Sequence, residues 1–122
     1  MKYTRLFEDE EGESHFEDVQ VEFELTEFAP PAPPLGLSHL TEAKRFGFLS
    51  VPPGWHGDWH PTPKRQVVFC LAGEMVGEAS DGEARRFGPG SAVLLEDTTG
   101  IGHRSRAAGE REVLLAVVQL EE

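Results

Sequence analysis

Along much of the chain, apolar and polar residues alternate with a period of two, as in β-strands whose two faces meet different surroundings. Such alternation over residues 19–25 (Val-Gln-Val-Glu-Phe-Glu-Leu) predicts one half-buried strand. The preceding residues 8–14 are polar and are expected to form a solvated lead-in. Residues 28–36 contain four prolines, which lack the N–H donor that a β-ladder needs, so this segment is predicted to be an extended arm.

From residue 45 onward, short apolar runs are separated by turn sequences. Asp81-Gly82 is the strongest hairpin signal, because this dipeptide tolerates the positive φ of tight turns. The predicted strands cover residues 45–51, 66–71, 74–79, 83–87, 92–95, 102–106 and 112–120. About eight short strands with little helix predict an all-β fold, an antiparallel double-sheet jelly roll closed into a barrel.

The length of 122 residues fits a single domain spanning residues 1–122. Within it, residues 1–44 are expected to supply the N-terminal strand and the proline-rich arm, and residues 45–120 the core barrel.

Charge and composition narrow the range of partners. The chain has 22 acidic and 11 basic residues, a formal net charge of −11, so it is expected to repel phosphate backbones and anionic lipids. We therefore expect no nucleic-acid and no membrane partner. The N-terminus lacks the apolar core of a signal peptide, and Cys70 is the only cysteine, so a cytoplasmic location without an intrachain disulfide is expected.

Two glycine- and histidine-containing segments carry the candidate chemistry. In the first, Gly54, His60, Gln66 and Gly73 are spaced like the first motif of the cupin family, which this segment resembles. That motif has a second histidine where this chain has Thr62, and a glutamate where it has Gln66. In the second segment, Gly90, Gly100 and His103 resemble the second cupin motif, although the loop is two residues longer.

The resemblance implies a small cupin with a degenerate first metal-binding motif. The implied metal ligands are His60, Gln66 and His103, with His56 as a further candidate. The implied cofactor is a divalent ion (Fe, Mn, Zn or Ni), held weakly because the substitutions remove one imidazole and the only anionic ligand. The alternative for the two histidines is a structural role as hydrogen-bonded core residues, and for Gln66 that of a buried amide.

Other residues near these motifs are candidates for the pocket. Glu96 and Asp97 precede His103 and are possible catalytic carboxylates, or part of an ordinary loop. Four residues are assigned to the substrate pocket, and for each of them a packing or surface role is the alternative: Trp55, Trp59, Arg65 and Cys70.

The resemblance implies a metal-dependent enzyme of oxygenase, isomerase or decarboxylase type that acts on a small polar organic molecule. The alternative is a non-catalytic cupin that binds or senses a small metabolite with a degenerate metal site. A homodimer is expected in either case, because edge strands and the N-terminal arm are natural elements for exchange between subunits.

Overall fold

The computed structural model describes residues 1–120, and this part of the chain consists of strands and turns without a helix. Accordingly, no helix capable of crossing a membrane occurs within these 120 residues. The strands are β1 (Lys2–Glu8), β2 (Ser14–Gln20), β3 (Glu24–Thr26), β4 (Leu35–Leu37), β5 (Arg45–Val51), β6 (His56–His60), β7 (Gln66–Ala72), β8 (Glu74–Ala79), β9 (Ala84–Phe87), β10 (Ala92–Leu95), β11 (His103–Ala108) and β12 (Val113–Gln119).

Six strands form a large sheet in the order β2-β1-β10-β7-β12-β5. All of its neighbouring strands are antiparallel except β1 and β10, which run parallel. A smaller sheet has the order β6-β11-β8-β9. The two sheets confirm the predicted all-β jelly roll, and residues of both line the cavity described below.

The N-terminal strands differ from the sequence prediction. Residues 2–20 form β1 and β2 of the large sheet, so the barrel uses residues before position 45. The predicted strand over residues 19–25 is interrupted, because β2 ends at Gln20 and β3 begins at Glu24. Ser14, expected in a solvated lead-in, is fully buried; its hydroxyl donates to the carbonyl of Gly102 at 2.7 Å.

The strands β3 and β4 pair only with each other, in a two-stranded hairpin apart from the two main sheets. Several apolar side chains of this region are exposed, among them Phe23, Leu25, Phe28 and Leu35. The loop between the two strands lies in the predicted proline-rich arm, but the end of that segment does join a ladder, since Leu35 pairs with Thr26 and Gly36 with Leu25.

Two clusters of buried apolar side chains lie inside the barrel. One is formed by Val51, Cys70, Ala107, Val113 and Leu115, with Val68 and Met75 packed against it. The other is formed by Leu6, Phe16 and Ala79, with Phe87 and Leu95 against it. The two clusters do not fill the barrel completely, and a cavity lined by residues of both remains between them.

Candidate functional site

A cavity of about 330 Å³ lies between the two sheets and opens to solvent. Its wall is mostly apolar and includes residues of both core clusters, together with the polar side chains Ser50, His60, Thr62, Gln66, Ser91, His103 and Ser105. Gln66, Val68 and Cys70 all line it, because alternate positions of β7 share one face. Sequence reasoning missed the contributions of Leu6 and Phe16, since it placed their segment outside the barrel.

His60 and His103 face each other directly across the β6–β11 ladder, where their Cα atoms are register partners. Their ring centroids are 4.9 Å apart, with an interplanar angle of 52°. His60 is exposed and His103 is half-buried, so the pair lies where the cavity wall meets solvent.

The close approach of these strands depends on Gly102. Its φ is +78°, a backbone conformation that residues with a Cβ rarely adopt. A Cβ at this position would also lie 2.0 Å from the carbonyl oxygen of His60. Glycine therefore allows the segment leading into β11 to pass against the end of β6 and to bring the two histidines together.

Both imidazoles are held through Nδ1. In His60, Nδ1 lies 2.7 Å from the backbone carbonyl oxygen of Asp58. In His103, Nδ1 lies 2.6 Å from Oδ2 of Asp97. Carbonyl and carboxylate oxygens accept hydrogen bonds, so Nδ1 donates in each case and carries the proton. Within residues 1–120, no hydrogen bond is made by Nε2 of either ring, which leaves a lone pair on each neutral ring.

Asp97 is fully buried and links His103 to Thr62. Its Oδ1 accepts a hydrogen bond of 2.7 Å from the hydroxyl of Thr62, while Oδ2 accepts from His103. The backbone carbonyl of Asp97 also accepts from the amide of Thr62, at 2.9 Å. Thr62, at the position of the second histidine of the cupin motif, thus supports Asp97. The only feature of the sequence that pointed to this role is that Thr62 carries a short side chain with a hydroxyl group.

A divalent ion binds three or more donors in proteins, so His60 and His103 alone do not complete a metal site. Gln66 lines the cavity, whereas His56 is exposed at the start of β6 and outside the cavity wall. Across the described part of the chain, no group of three His, Cys, Asp or Glu ligand atoms forms at the cavity. The available set is therefore two imidazoles and one neutral amide, which fits a weakly held ion.

Glu96 and Arg65 lie outside the cavity wall and contact each other. Oε2 of Glu96 accepts from Nε of Arg65 at 2.6 Å, and Oε1 accepts from Arg5. Burial raises the pKa of the Glu96 carboxyl, but the hydrogen bonds from Arg5 and Arg65 outweigh this and lower the pKa below its ordinary value. Through these two hydrogen bonds, Glu96 links β1, which carries Arg5, to the segment that carries Arg65.

The two tryptophans are divided between the cavity and the outer surface. The Trp55 ring lines the cavity and covers Gly57, where a Cβ would lie 2.7 Å from it. Trp59 lies outside the cavity wall, with the Arg104 guanidinium 5.0 Å from its ring centroid. Cys70 lines the cavity, and burial raises the pKa of its thiol, so the thiol form predominates.

A second polar cluster lies at the turn between β1 and β2. Ligand atoms of Asp9, Glu13 and His15 lie within 4.8 Å of one another. Both ring nitrogens of His15 are already bonded, Nε2 to Asp9 at 2.8 Å and Nδ1 to Asp81 at 2.9 Å. The hydrogen bonds that the ring donates to the Asp9 and Asp81 carboxylates raise the pKa of His15. The cluster therefore acts as an ion-pair clasp between this turn and the β8–β9 turn.

The chain matches no protein-family model and no curated protein. Among solved structures it is similar to the cupin domain of Schizosaccharomyces pombe Cnp3, with 13% identity, a TM-score of 0.52 and coverage of 89% of this chain and 73% of that one. It is also similar to a predicted oxalate decarboxylase from Thermotoga maritima, with 20% identity, a TM-score of 0.50 and coverage of 83% and 94%. The Drosophila melanogaster CENP-C cupin domain matches with 12% identity, a TM-score of 0.50 and coverage of 82% and 75%.

Proposed function

We propose that this chain, which has the cupin fold, binds a small organic molecule inside its barrel and holds the molecule's polar group with His60 and His103. The observation that carries this proposal is the pair of Nδ1-anchored imidazoles on the wall of an apolar cavity. Ligand sites are typically largely apolar with a few polar groups that fix orientation.

The composition of the wall defines the class of ligand. Among residues 1–120, no Asp, Glu, Lys or Arg lines the cavity, so the body of the ligand should be uncharged and apolar. Because the free Nε2 atoms of neutral rings accept hydrogen bonds, the polar group should be protic, such as a carboxylic acid, a phenol or an enol. A volume of about 330 Å³ is at the small end of ligand pockets.

The same contacts suit His103 to proton transfer. An imidazole that takes a proton at Nε2 becomes positively charged, and the Asp97 carboxylate at Nδ1 stabilises that charge. Thr62 fixes the other carboxylate oxygen, so Asp97 is held towards His103. His103 is therefore proposed as a general base, with His60 orienting the protic group, which is chemistry of the isomerase type.

A metal-dependent enzyme is the second candidate. The observation in its favour is the bond from Asp97 to His103, because metal-ligating histidines commonly donate their other ring N–H to a carboxylate. His60, His103 and Gln66 would hold the ion, which when bound would polarise an oxygen of the substrate. Glu96 is hydrogen-bonded to an arginine outside the cavity wall. Asp97 is therefore the carboxylate that would support either the proton transfer or the metal-dependent reaction.

The test is a binding titration of chelator-treated protein with a panel of small carboxylic acids and phenols, repeated after addition of Zn²⁺, Mn²⁺, Fe²⁺ or Ni²⁺. Binding to the metal-free protein that His103→Ala weakens at least tenfold, and that the control His56→Ala leaves unchanged, supports the first candidate. Binding that requires the ion supports the second. Equal binding by wild type and His103→Ala contradicts both.

A further inference from the structure

The cavity extends along the strands between two ends of different chemistry. Its lining positions on β7 are Gln66, Val68 and Cys70, and each is two residues from the next. Because strand residues advance about 3.3 Å each, Gln66 and Cys70 are about 13 Å apart along the strand. Gln66 is the register partner of Leu95, and Cys70 is that of Leu115. The same rows of the sheet thus mark the two ends of the cavity.

The Gln66 end carries the polar groups of the proposed site. Asp97 follows two residues after Leu95, the register partner of Gln66, and its carboxylate accepts from His103. His60 faces His103 across the neighbouring ladder and is exposed. The two histidines therefore lie at the end of the cavity that begins at Gln66, where the wall meets solvent.

The Cys70 end is closed by apolar packing. Buried side chains, each at most 8% exposed, form this end, here called the floor: Val51, Cys70, Ala107, Val113 and Leu115. Ala107 lies on β11 of the small sheet, and the other four lie on strands of the large sheet. On β11, Ala107 is four residues after His103, which again corresponds to about 13 Å. Both sheets therefore give the same distance between the histidines and the floor.

Aromatic rings border the middle of the cavity. On β11 the middle position is Ser105, whose register partners are Gly57 and Gly77. The ring of Trp55 occupies the space over Gly57, and the ring of Phe87 lies 3.3 Å from the position that a Cβ of Gly77 would take. Both rings line the cavity. The path from the histidines to the floor is therefore largely apolar.

We infer that the cavity takes a medium-chain alkanoic acid of about eight to ten carbons, and that Cys70 in the floor limits the chain length. The carboxyl group contacts His60 and His103, and the methyl end lies against Cys70. This inference rests on the proposed function, because it takes the two histidines as the anchor of the polar group.

Length and volume lead to the same size of chain. An extended peptide advances about 3.5 Å over its three backbone bonds, or about 1.2 Å per bond, so about 13 Å accommodates ten or eleven bonds. At about 30 Å³ for each water-sized group, a volume of about 330 Å³ holds about eleven non-hydrogen atoms. Alkanoic acids of about eight to ten carbons have this length and this number of atoms.

A chain-length series tests the inference. Chelator-treated protein is titrated calorimetrically with unbranched alkanoic acids from butanoic to tetradecanoic acid, each below its micelle concentration. The dissociation constant should fall about threefold to fourfold for each added methylene, because burial of apolar surface favours binding. It should stop falling between decanoic and dodecanoic acid, where the chain reaches the floor.

Variants at Cys70 should move this limit in opposite directions. Leucine has two more side-chain non-hydrogen atoms than cysteine, so Cys70→Leu should shorten the longest well-bound chain by about two carbons. Cys70→Ala removes one atom and should lengthen it by about one carbon. Butanoic acid should bind all three proteins equally, because it does not reach the floor. The control is Phe69→Leu, since Phe69 lies on the opposite face of β7 and outside the cavity wall.

The outcomes separate this inference from the proposed function. An affinity that keeps rising to tetradecanoic acid, or one limit shared by the wild type and both Cys70 variants, would overturn the inference. If butanoic acid still binds in a manner weakened by His103→Ala, the proposed function stands. If no acid of any length depends on His103, both fail. If Cys70→Leu does not fold, Cys70→Ala decides, because it adds no volume to the floor.

Discussion

The buried carboxylate of Asp97 and Nδ1 of His103 are 2.6 Å apart. This contact determines which nitrogen of His103 carries the proton and which one can meet a ligand. Asp97 is held in turn by the hydroxyl of Thr62, at 2.7 Å. In the sequence Thr62 is 35 residues from Asp97 and His103 is six residues from it. Their contacts leave Nε2 of His103 as the nitrogen that would act in the proposed function.

Replacing Asp97 by Asn should change the tautomer of His103. An amide can present its NH₂ group to the ring, which then accepts at Nδ1 and carries its proton on Nε2. The unfolding free energy should also fall, by about 1–3 kcal/mol, because a buried charged hydrogen bond is lost. Ring ¹⁵N chemical shifts report the tautomer. Glu96→Gln is the control and should leave the His103 shifts as in the wild type; unchanged shifts in Asp97→Asn would contradict the assigned contact.

Gly102→Ala should disrupt the site by steric conflict. The methyl group would collide with the His60 carbonyl, and the positive φ adds strain. We expect a loss of at least about 3 kcal/mol in unfolding free energy, measured by denaturant titration. In contrast, Gly88→Ala has open space around the new methyl group and should cost less than about 1 kcal/mol. Equal stabilities of the two variants would show that β11 need not approach β6 so closely.

The sequence predicted the barrel well because its strands are short and are separated by glycine and proline turns. The spacing of Gly54, His60, Gln66 and Gly73 placed His60 and Gln66 in one motif, and both residues line the cavity. The burial of Asp97 could not be predicted in the same way. The segment Glu96-Asp97-Thr98-Thr99 reads as a solvated loop, and only the fold brings Thr62 and His103 to the carboxylate.

The N-terminal segment was harder to interpret for a similar reason. Its polar residues are paired across the structure: Ser14 bonds to Gly102, and His15 bonds to Asp81. Such partners are 66 or more residues away in sequence, so local alternation does not reveal them.

Metal affinity should respond to the charge at position 66. Gln66→Glu replaces a neutral oxygen ligand with an anionic one, so the dissociation constants for Mn²⁺, Fe²⁺ and Zn²⁺ should fall at least tenfold if Gln66 is a ligand. Titration calorimetry on chelator-treated protein measures this. Gln20→Glu, an exposed change on β2 outside the cavity, controls for the added charge. An affinity equal to that of the wild type would remove Gln66 from the donor set.

The His15 clasp should make stability depend on pH. The hydrogen bonds that His15 donates to the Asp9 and Asp81 carboxylates raise its folded-state pKa, so its contribution to stability is complete below the unfolded-state pKa of about 6.5. It is lost as pH rises through the raised folded-state pKa. The groups facing the ring are the carboxylates of Asp9 and Asp81, the nearby Glu13, and the ring of Phe7.

The unfolding temperature of the wild type should therefore fall more between pH 6 and 8 than that of His15→Gln. Thermal unfolding followed by circular dichroism measures the difference, with the exposed His39→Gln as the control. A pH profile of His15→Gln that coincides with the wild-type profile would show that the clasp contributes no charged interaction to stability.

The most direct test of the central claim is nuclear magnetic resonance of chelator-treated protein during titration with small apolar carboxylic acids and phenols. At least one should bind with a dissociation constant below about 1 mM. It should shift the ring nitrogens of His60 and His103 together with the methyl groups of Val93 and Leu115 on the cavity wall. In His103→Ala this binding should weaken at least tenfold, and in His56→Ala it should persist. Shifts confined to surface residues, or binding unaffected by His103→Ala, would contradict the account.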